Sequence, residues 1–446
     1  MKRVVLGMLS VLAVVLVAGC DPEDRITFNV NTVSDLVDPN PGDDVCGTPD
    51  TCSLRAALEE AEAGDKKSIT VNVPPGTYLL EEGQLEMPGK LISVQGAGAD
   101  STVIDAQKDS RVLKIAGGIV SVSDLTLQNG GDSNGSAGFG GGATVEEGVA
   151  AFEDVIIQNN DGYFRGGGLF VDSNANVVLT RALIRNNETG LGGGGGGGGI
   201  FNQGKLTIND STISGNEGGN AGGGIGHIGE RLQIRGSTIS NNKGYRSGLV
   251  LNGPSVLSNV TVSGNRELAN TSDGPGSFDG RGGWGISITG GVTFRNVTVT
   301  DNGNTVASRD PAGGGILVAP GGSLRLKNSL ISGNRVWDCE GNLTSQGHNL
   351  IGDASTCTLS AGTGDQLGTS SAPIDAKLGD LLPNGGFTET HGLLPGSPAI
   401  DSGSNLAPAS DPASCSAEDQ RGVERPQEGD GSLPRVCDIG AFELEP

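Results

Sequence analysis

Between residues 69 and 335 short aliphatic runs alternate with glycine and asparagine in a recurring order. One five-residue string returns as IIQNN (156–160), LIRNN (183–187), TISGN (212–216), TISNN (238–242), TVSGN (261–265), TVTDN (298–302) and LISGN (330–334), with TLQNG (126–130) as a degenerate first copy. The closing residues Asn160, Asn187, Asn216, Asn242, Asn265, Asn302 and Asn334 recur at intervals of 23 to 37 residues. A period in the twenties, lengthened at two places, is one solenoid turn plus insertions. Upstream in the period stands a glycine block, GGGL at 166–169 and GGGI at 197–200, 222–225 and 313–316. Segments such as Lys205-Leu206-Thr207-Ile208-Asn209 alternate between the two blocks, which puts Leu206 and Ile208 on one face of a strand. Each period therefore holds about three short strands, with corners made by residues that tolerate positive φ. Stacked about 4.8 Å apart, such turns pair in parallel, and the preferred hand of parallel crossovers makes the coil right-handed. The pattern predicts an all-β chain: a right-handed parallel β-helix, a solenoid of about ten coils. The repeated Asn reads as a buried amide ladder that satisfies corner backbone groups, not as a ligand.

The ends break this pattern, as a solenoid requires if its terminal edges are to be covered. Near the start, the strand Ile26-Thr27-Phe28-Asn29-Val30 leads through an acidic loop into SLRAALEEAEA (53–63). Leu54, Ala57, Leu58 and Ala61 fall on one helical face, Arg55 and Glu59 stand four apart, and Gly64 can end the helix. Residues 69–127 read as earlier, less regular turns. The expected organisation is a signal over 1–19, a tether over 20–25, an N-terminal cap with a capping helix over 26–68, β-helix repeats over 69–335, and a last coil with an irregular C-terminal cap over 336–446.

Three stretches carry family resemblances. Leu16-Val17-Ala18-Gly19-Cys20 follows Lys2, Arg3 and an apolar run from Val4 to Val17, and resembles the lipobox of bacterial lipoproteins. The resemblance implies diacylation of Cys20, and two acyl chains anchor stably. Thr51-Cys52-Ser53-Leu54-Arg55-Ala56-Ala57-Leu58 resembles the CSLREA motif of exported bacterial β-helix proteins. The stretches QGHNLIGD (346–353), LPNGGFTETHGLLPGSPAIDSG (382–403), DQRG (419–422) and DIGAFE (438–443) are similar to the choice-of-anchor Q domain. Together these imply a surface-displayed β-helix with interchangeable anchors and no established catalytic residues. Many relatives carry a sorting tail after the final motif; here the lipid on Cys20 is expected to take its place.

Charge and cysteines refine the placement. The formal charge is −23, which repels phosphate backbones and argues against nucleic acid as a partner. Seven cysteines leave six once Cys20 is assigned to lipid: Cys46 with Cys52, Cys339 with Cys357, and Cys415 with Cys437, three local pairs expected to form disulfides in an oxidising compartment. The pairs lack CxxC spacing, so no zinc site is expected. Calcium is the remaining cofactor to weigh; the chain has neither the EF-hand nor the nonapeptide spacing, leaving Asp43 and Asp44, or Asp273 and Asp279, as oxygen donors in acidic loops.

For chemistry, the three histidines are His227 in a repeat and His348 and His391 in the C-terminal motifs, none placed as an obvious base, and no GxSxG occurs. No catalytic residue and no metal site are assigned. Insertions follow the repeated Asn at 188–196, 266–284 and 303–312, so they should project from one edge of the rod, where solenoids bind. The candidate ligand-binding residues there are Asp273, Phe278, Asp279, Arg281 and Trp284, a mix suited to stacking on and hydrogen-bonding a sugar. The expected function is a non-catalytic adhesin or glycan-binding scaffold, a monomer lipid-anchored in the cell envelope at the outer membrane or cell surface. Its membrane contact is the lipid alone, and its partner is a surface glycan or another surface component. The alternative is a polysaccharide lyase or hydrolase of the pectate-lyase-like class.

Overall fold

The computed structural model describes residues 24–87, 89–131, 138–190, 196–219, 222–244, 247–267, 284–303, 313–407, 410, 414–427 and 435–446. Cys20 and residues 1–19, expected to be a signal, lie outside the described residues. Within them the chain is a right-handed parallel β-helix built on three parallel ladders. One ladder follows the glycine blocks, through strands such as Leu113–Ile115, Ile200–Asn202, Ile225–His227 and Ile316–Val318. A second contains Ser68–Asn72, Leu91–Gln95, Ile119–Ser123, Lys205–Asn209 and Ser323–Lys327. The third leads into the repeated Asn, with Ile156–Gln158, Leu183–Arg185 and Thr212–Ser214. Long strands such as Leu169–Thr180 and Arg231–Ser240 cross a corner and serve two ladders.

Strict register makes columns of like residues. Ile157, Ile184, Ile213, Ile239, Val262, Val299 and Ile331 stack one above the other, and each is fully buried. Burying one such side chain contributes about 1.5–3 kcal/mol, so every turn adds a similar increment by stacking on its neighbours.

The Asn column is the ladder its repetition predicts. The Asn187 amide oxygen accepts from the backbone N–H (3.1 Å) and Nδ2 (2.9 Å) of Asn160, while its Nδ2 donates to Asn216 Oδ1 (3.0 Å) and Ile157 O (2.9 Å). The same pattern runs through Asn242, Asn265, Asn302 and Asn334 and closes on Asp338 Oδ1 at 2.8 Å. Positive φ belongs to the residue before each ladder Asn: Asn159, Asn186, Gly215, Asn241, Gly264, Asp301 and Gly333. That is why the string ends in NN, GN or DN. The glycine block is the other half of the same corner. A methyl group on Gly199 would meet Asn216 Nδ2 at 2.9 Å, and one on Gly224 would meet Asn242 Nδ2 at 2.8 Å. The two sequence motifs are therefore one packing unit.

At the N-terminal end, Arg25–Asn29 pairs with Ser68–Asn72, and the helix Leu54–Ala63 covers the first coil with Leu54, Ala57, Leu58 and Ala61 buried. Ser53 caps it by accepting from Ala56 N at 3.0 Å. Gly64 follows it in extended conformation, φ −68°, not as a left-handed cap. Arg55 does not pair with Glu59. It reaches Asp35 at 2.8 Å and donates to the carbonyls of Gly83 and Gln84, because it lies on the buried side of the helix, and Glu59 accepts from Asp38 N instead. Asp43 and Asp44 are engaged within the loop: Asp43 accepts from Val45 N, and Asp44 lies 3.4 Å from Lys66.

All three cysteine pairs are disulfides: Cys46–Cys52, Cys339–Cys357 and Cys415–Cys437. The C-terminal segment does more than cover the last coil. After the final rung Gln366–Leu367 and the antiparallel pair Leu378–Leu382 and Thr390–Leu393, it runs back as a strap along the outer side of the third ladder. Gln420 is buried against it, donating to Thr238 Oγ1 and Thr388 Oγ1 (both 2.9 Å) and accepting from Thr261 Oγ1 (2.7 Å). Ala441 N donates to Thr298 Oγ1, and Lys327 Nζ to Ser414 O. Among the described residues no helix is long and apolar enough to cross a membrane.

Candidate functional site

Because the Asn ladder fixes one corner through successive turns, whatever follows it emerges on one edge. The first residues after the corner form a fourth, two-residue ladder: Asp161–Gly162, Glu188–Thr189, Glu217–Gly218, Lys243–Gly244 and Arg266–Glu267. The predicted insertions 188–196 and 266–284 begin in these pairs, and 303–312 begins at Gly303, whose N–H donates to Asn265 O at 3.0 Å, so their bases lie on one side of the rod. Outward along this ladder stand Asp161, Glu188 and Glu217, then Lys243 and Arg266. Burial raises the Glu188 carboxyl above its ordinary range, and the charges of Asp161 and Glu217 add to the effect. Arg266 and Arg335 flank Asp301 at 3.6 and 3.2 Å.

Beside the acidic row lies an aromatic cluster. Phe170 and Phe201 follow GGGL and GGGI, and their rings face outward in the first ladder, nearly parallel with centroids 6.1 Å apart. Phe139 packs on Phe170 at 4.8 Å and on Phe164 at 6.0 Å, and Tyr163 meets Phe164 edge-on at 4.6 Å. Arg165 lies 4.7 Å over the Phe201 ring. Phe170 and Phe201 are covered, but Phe139, Tyr163 and Phe164 are 40%, 52% and 37% exposed. Aromatic residues make up only 3% of the chain, so this concentration at one place is a departure from its composition. An exposed apolar ring face beside carboxylates and a guanidinium can stack on the C–H face of a sugar while its hydroxyls are hydrogen-bonded.

Four of the residues expected to bind ligand, Asp273, Phe278, Asp279 and Arg281, lie outside the described residues. Trp284, the fifth, is fully buried at 0% exposure, paired across from Ser247. Its ring offers no face to solvent, so it packs against the coil and does not stack on a ligand. The aromatic cluster was not anticipated from the sequence. The signal was present in GGGLF (166–170) and GGGIF (197–201), where a second-position Phe repeats in register.

The histidines sit elsewhere. His227 is buried, hydrogen-bonded to Asn202 at 2.9 Å and Pro254 O at 3.3 Å, and burial pulls it down to about 4, so it stays neutral at physiological pH. His391 lies beneath the strap, with Nδ1 2.7 Å from Gly379 O and Nε2 2.9 Å from Ser263 Oγ. A carbonyl can only accept, so Nδ1 carries the proton and Nε2 accepts from the serine. His348 contacts Ser402 O at 3.2 Å. Two shallow cavities are lined by acidic groups, one of about 340 Å³ at Glu146, Glu147 and Asp172, and one of about 170 Å³ at Arg55, Glu59, Glu62 and Glu86. Among the described residues no three carboxylates, imidazoles or thiols gather into a cluster able to hold a metal ion.

Comparison with known proteins bears on the fold. The family model for a right-handed β-helix region matches residues 115–276. No curated protein matches. Among solved structures, the pectate lyase Pel9A is similar at 15% identity with a TM-score of 0.49, over 94% of this chain and 97% of that one. A mannuronic acid-specific family 6 polysaccharide lyase from human gut microbiota is similar at 14% identity with a TM-score of 0.32, over 76% of this chain and 83% of that one. The three parallel ladders, with the family match over residues 115–276, show that this chain has the right-handed parallel β-helix fold.

Proposed function

We propose that this chain is a non-catalytic, envelope-anchored scaffold that binds a surface glycan at the insertion-bearing edge. The observation that carries the reading is the exposed cluster of Phe139, Tyr163 and Phe164, seated through Phe139 on the ladder residue Phe170 and bordered by Asp161, Glu188 and Arg165. Rings already packed against one another lose less freedom on binding, which favours recognition of a flat sugar face. In this reading Cys20 carries the lipid, the rod stands outward from the outer membrane or cell surface as a monomer, and neither nucleic acid nor a metal takes part.

The test is a glycan array read with the soluble form lacking residues 1–20, together with a lyase assay on polyuronides. Binding to a restricted set of glycans that falls at least tenfold in Tyr163→Ala/Phe164→Ala supports the scaffold. Unsaturated product from any polyuronide would replace it with the enzyme reading, in which Glu188, its carboxyl raised by burial, is the group to mutate first.

A further inference from the structure

The outer side of the second ladder differs in charge from the rest of the chain. In its later turns the outward positions are Lys205, Thr207 and Asn209; Arg231, Gln233 and Arg235; Val256 and Ser258; Thr293 and Arg295; and Arg325. The strands of these turns, Lys205–Asn209, Arg231–Arg235, Ser255–Ser258, Gly291–Arg295 and Ser323–Lys327, contain no acidic residue, in a chain of net charge −23. Arg231, Arg235, Arg295 and Arg325 are all exposed. Their guanidinium groups make no hydrogen bond, ion pair or ring contact among the described residues, whereas Arg55, Arg181, Arg421 and Arg425 are all engaged by carboxylates. Glu230 borders the strip and is held by Lys205 at 3.2 Å.

Register sets the spacing. Arg235 stands across from Ser258, and Ser258 from Arg295, so the two arginines are two turns apart, roughly 10 Å along the rod. Arg325 lies one turn beyond, across from Thr293. Between them are Gln233, Ser258 and Thr293, which give a flat surface of small and hydrogen-bonding side chains.

We propose that this strip is a binding surface for a linear glycan bearing carboxylate or sulfate groups, lying along the rod axis. It is a second surface, on a different face from the aromatic edge. A guanidinium presents a planar fork that grips such groups bidentately, and four unpaired forks on a rigid sheet need no rearrangement to do so. The two-turn spacing of Arg235 and Arg295, roughly 10 Å, suits a polymer whose charges stand farther apart than the one per about 1.7 Å of a nucleic-acid duplex.

The test uses the purified full chain with polygalacturonate, dextran sulfate and uncharged dextran in affinity electrophoresis at two ionic strengths. Retardation by either charged polymer but not by dextran, weakened by salt, is expected, and which polymer binds identifies the carboxylate or sulfate form. Arg231→Ser/Arg235→Ser/Arg295→Ser/Arg325→Ser should lower the affinity at least tenfold with an unchanged circular dichroism spectrum and melting temperature. Replacing the same four by Lys should restore part of it. Tyr163→Ala/Phe164→Ala should leave it unchanged, which separates this surface from the proposed glycan edge. No retardation by either polymer, retention of binding in the serine variant, or concentration-dependent self-association abolished by that variant would overturn the proposal; the last outcome assigns the strip to a second copy of the chain.

Discussion

The Asn ladder and the C-terminal strap both bury polar groups against the third ladder, yet they satisfy them in opposite ways. In the ladder one amide repeats, and each copy offers what the next one needs: Asn216 donates to Asn242, and Asn242 to Asn265. In the strap no residue repeats. Gln420, Arg425, Asp438 and Glu443 each have a different set of partners, as in the 2.7 Å pair between Arg425 and Glu443. Translation symmetry makes the first arrangement self-correcting along the rod, whereas the second depends on every member being present.

The sharpest way to break the comparison is Asn242→Ala. It removes the acceptor for Asn216 N and Nδ2 and the donor to Ile213 O and Asn265 Oδ1, leaving several buried groups unpaired. A loss of about 4 kcal/mol is expected in denaturant unfolding. A loss below about 1 kcal/mol would mean that water replaces the amide and that the ladder is not a stability element.

Removing the Cys415–Cys437 link by Cys415→Ser/Cys437→Ser should cost about 3 kcal/mol, from the entropy of a closed loop of this length. Because the strap lies outside the coils, limited proteolysis should then release fragments from beyond residue 400 while the repeats stay intact. Simultaneous cleavage throughout the repeats would show that strap and solenoid unfold as one unit.

A pH series separates the two regions more gently. Asp438 is pushed up to about 7 by burial and by the neighbouring Glu443 carboxylate. A carboxyl whose folded pKa exceeds its unfolded value of 3.8 binds its proton more tightly in the folded state. Its contribution is therefore fully present below about 3.8 and is lost as pH rises through about 7. His391, held down by burial, works in the other direction and favours folding above its ordinary value of 6.5. The pH slope of strap stability between 4 and 7, followed by hydrogen exchange, should thus differ between wild type and Asp438→Asn, with the wild type losing stability relative to the variant as pH rises. Equal slopes would remove Asp438 from the titration.

The smallest effect is expected on the edge itself. Phe164→Ala exposes no core and should change the melting temperature by no more than about 2 °C, since surface substitutions usually stay within about 0.5 kcal/mol. A larger drop would make the aromatic cluster a packing element and weaken its role in binding.

Much of the rod was legible in the chain because its causes are local and repeated. Leu206 and Ile208 alternate, Gly215 or Asn241 supplies the positive φ, and the Asn that follows must find amide partners above and below. The three disulfides were legible as well, since each joins cysteines no more than 22 residues apart. The site was read less well. Trp284 ends a predicted insertion, but in the folded chain it is the first residue of a ladder strand, across from Ser247 of the preceding turn, and buried there. The aromatic cluster was hidden because Phe139 meets the adjacent Tyr163 and Phe164 only across turns, one turn away along the rod.

By itself, the sequence determined the stacked turns, the corner that carries the insertions and the partners of the cysteines, because each follows from a motif acting on its own neighbourhood or on a copy of itself. Tertiary structure alone decided that Arg55 turns to Asp35, that Gln420 reaches Thr238 and Thr261 across more than 150 residues, and that four arginines line one outer face without partners among the described residues. Those outcomes depend on which surfaces meet once the coil has closed, and no local pattern encodes a contact between segments that share no repeat.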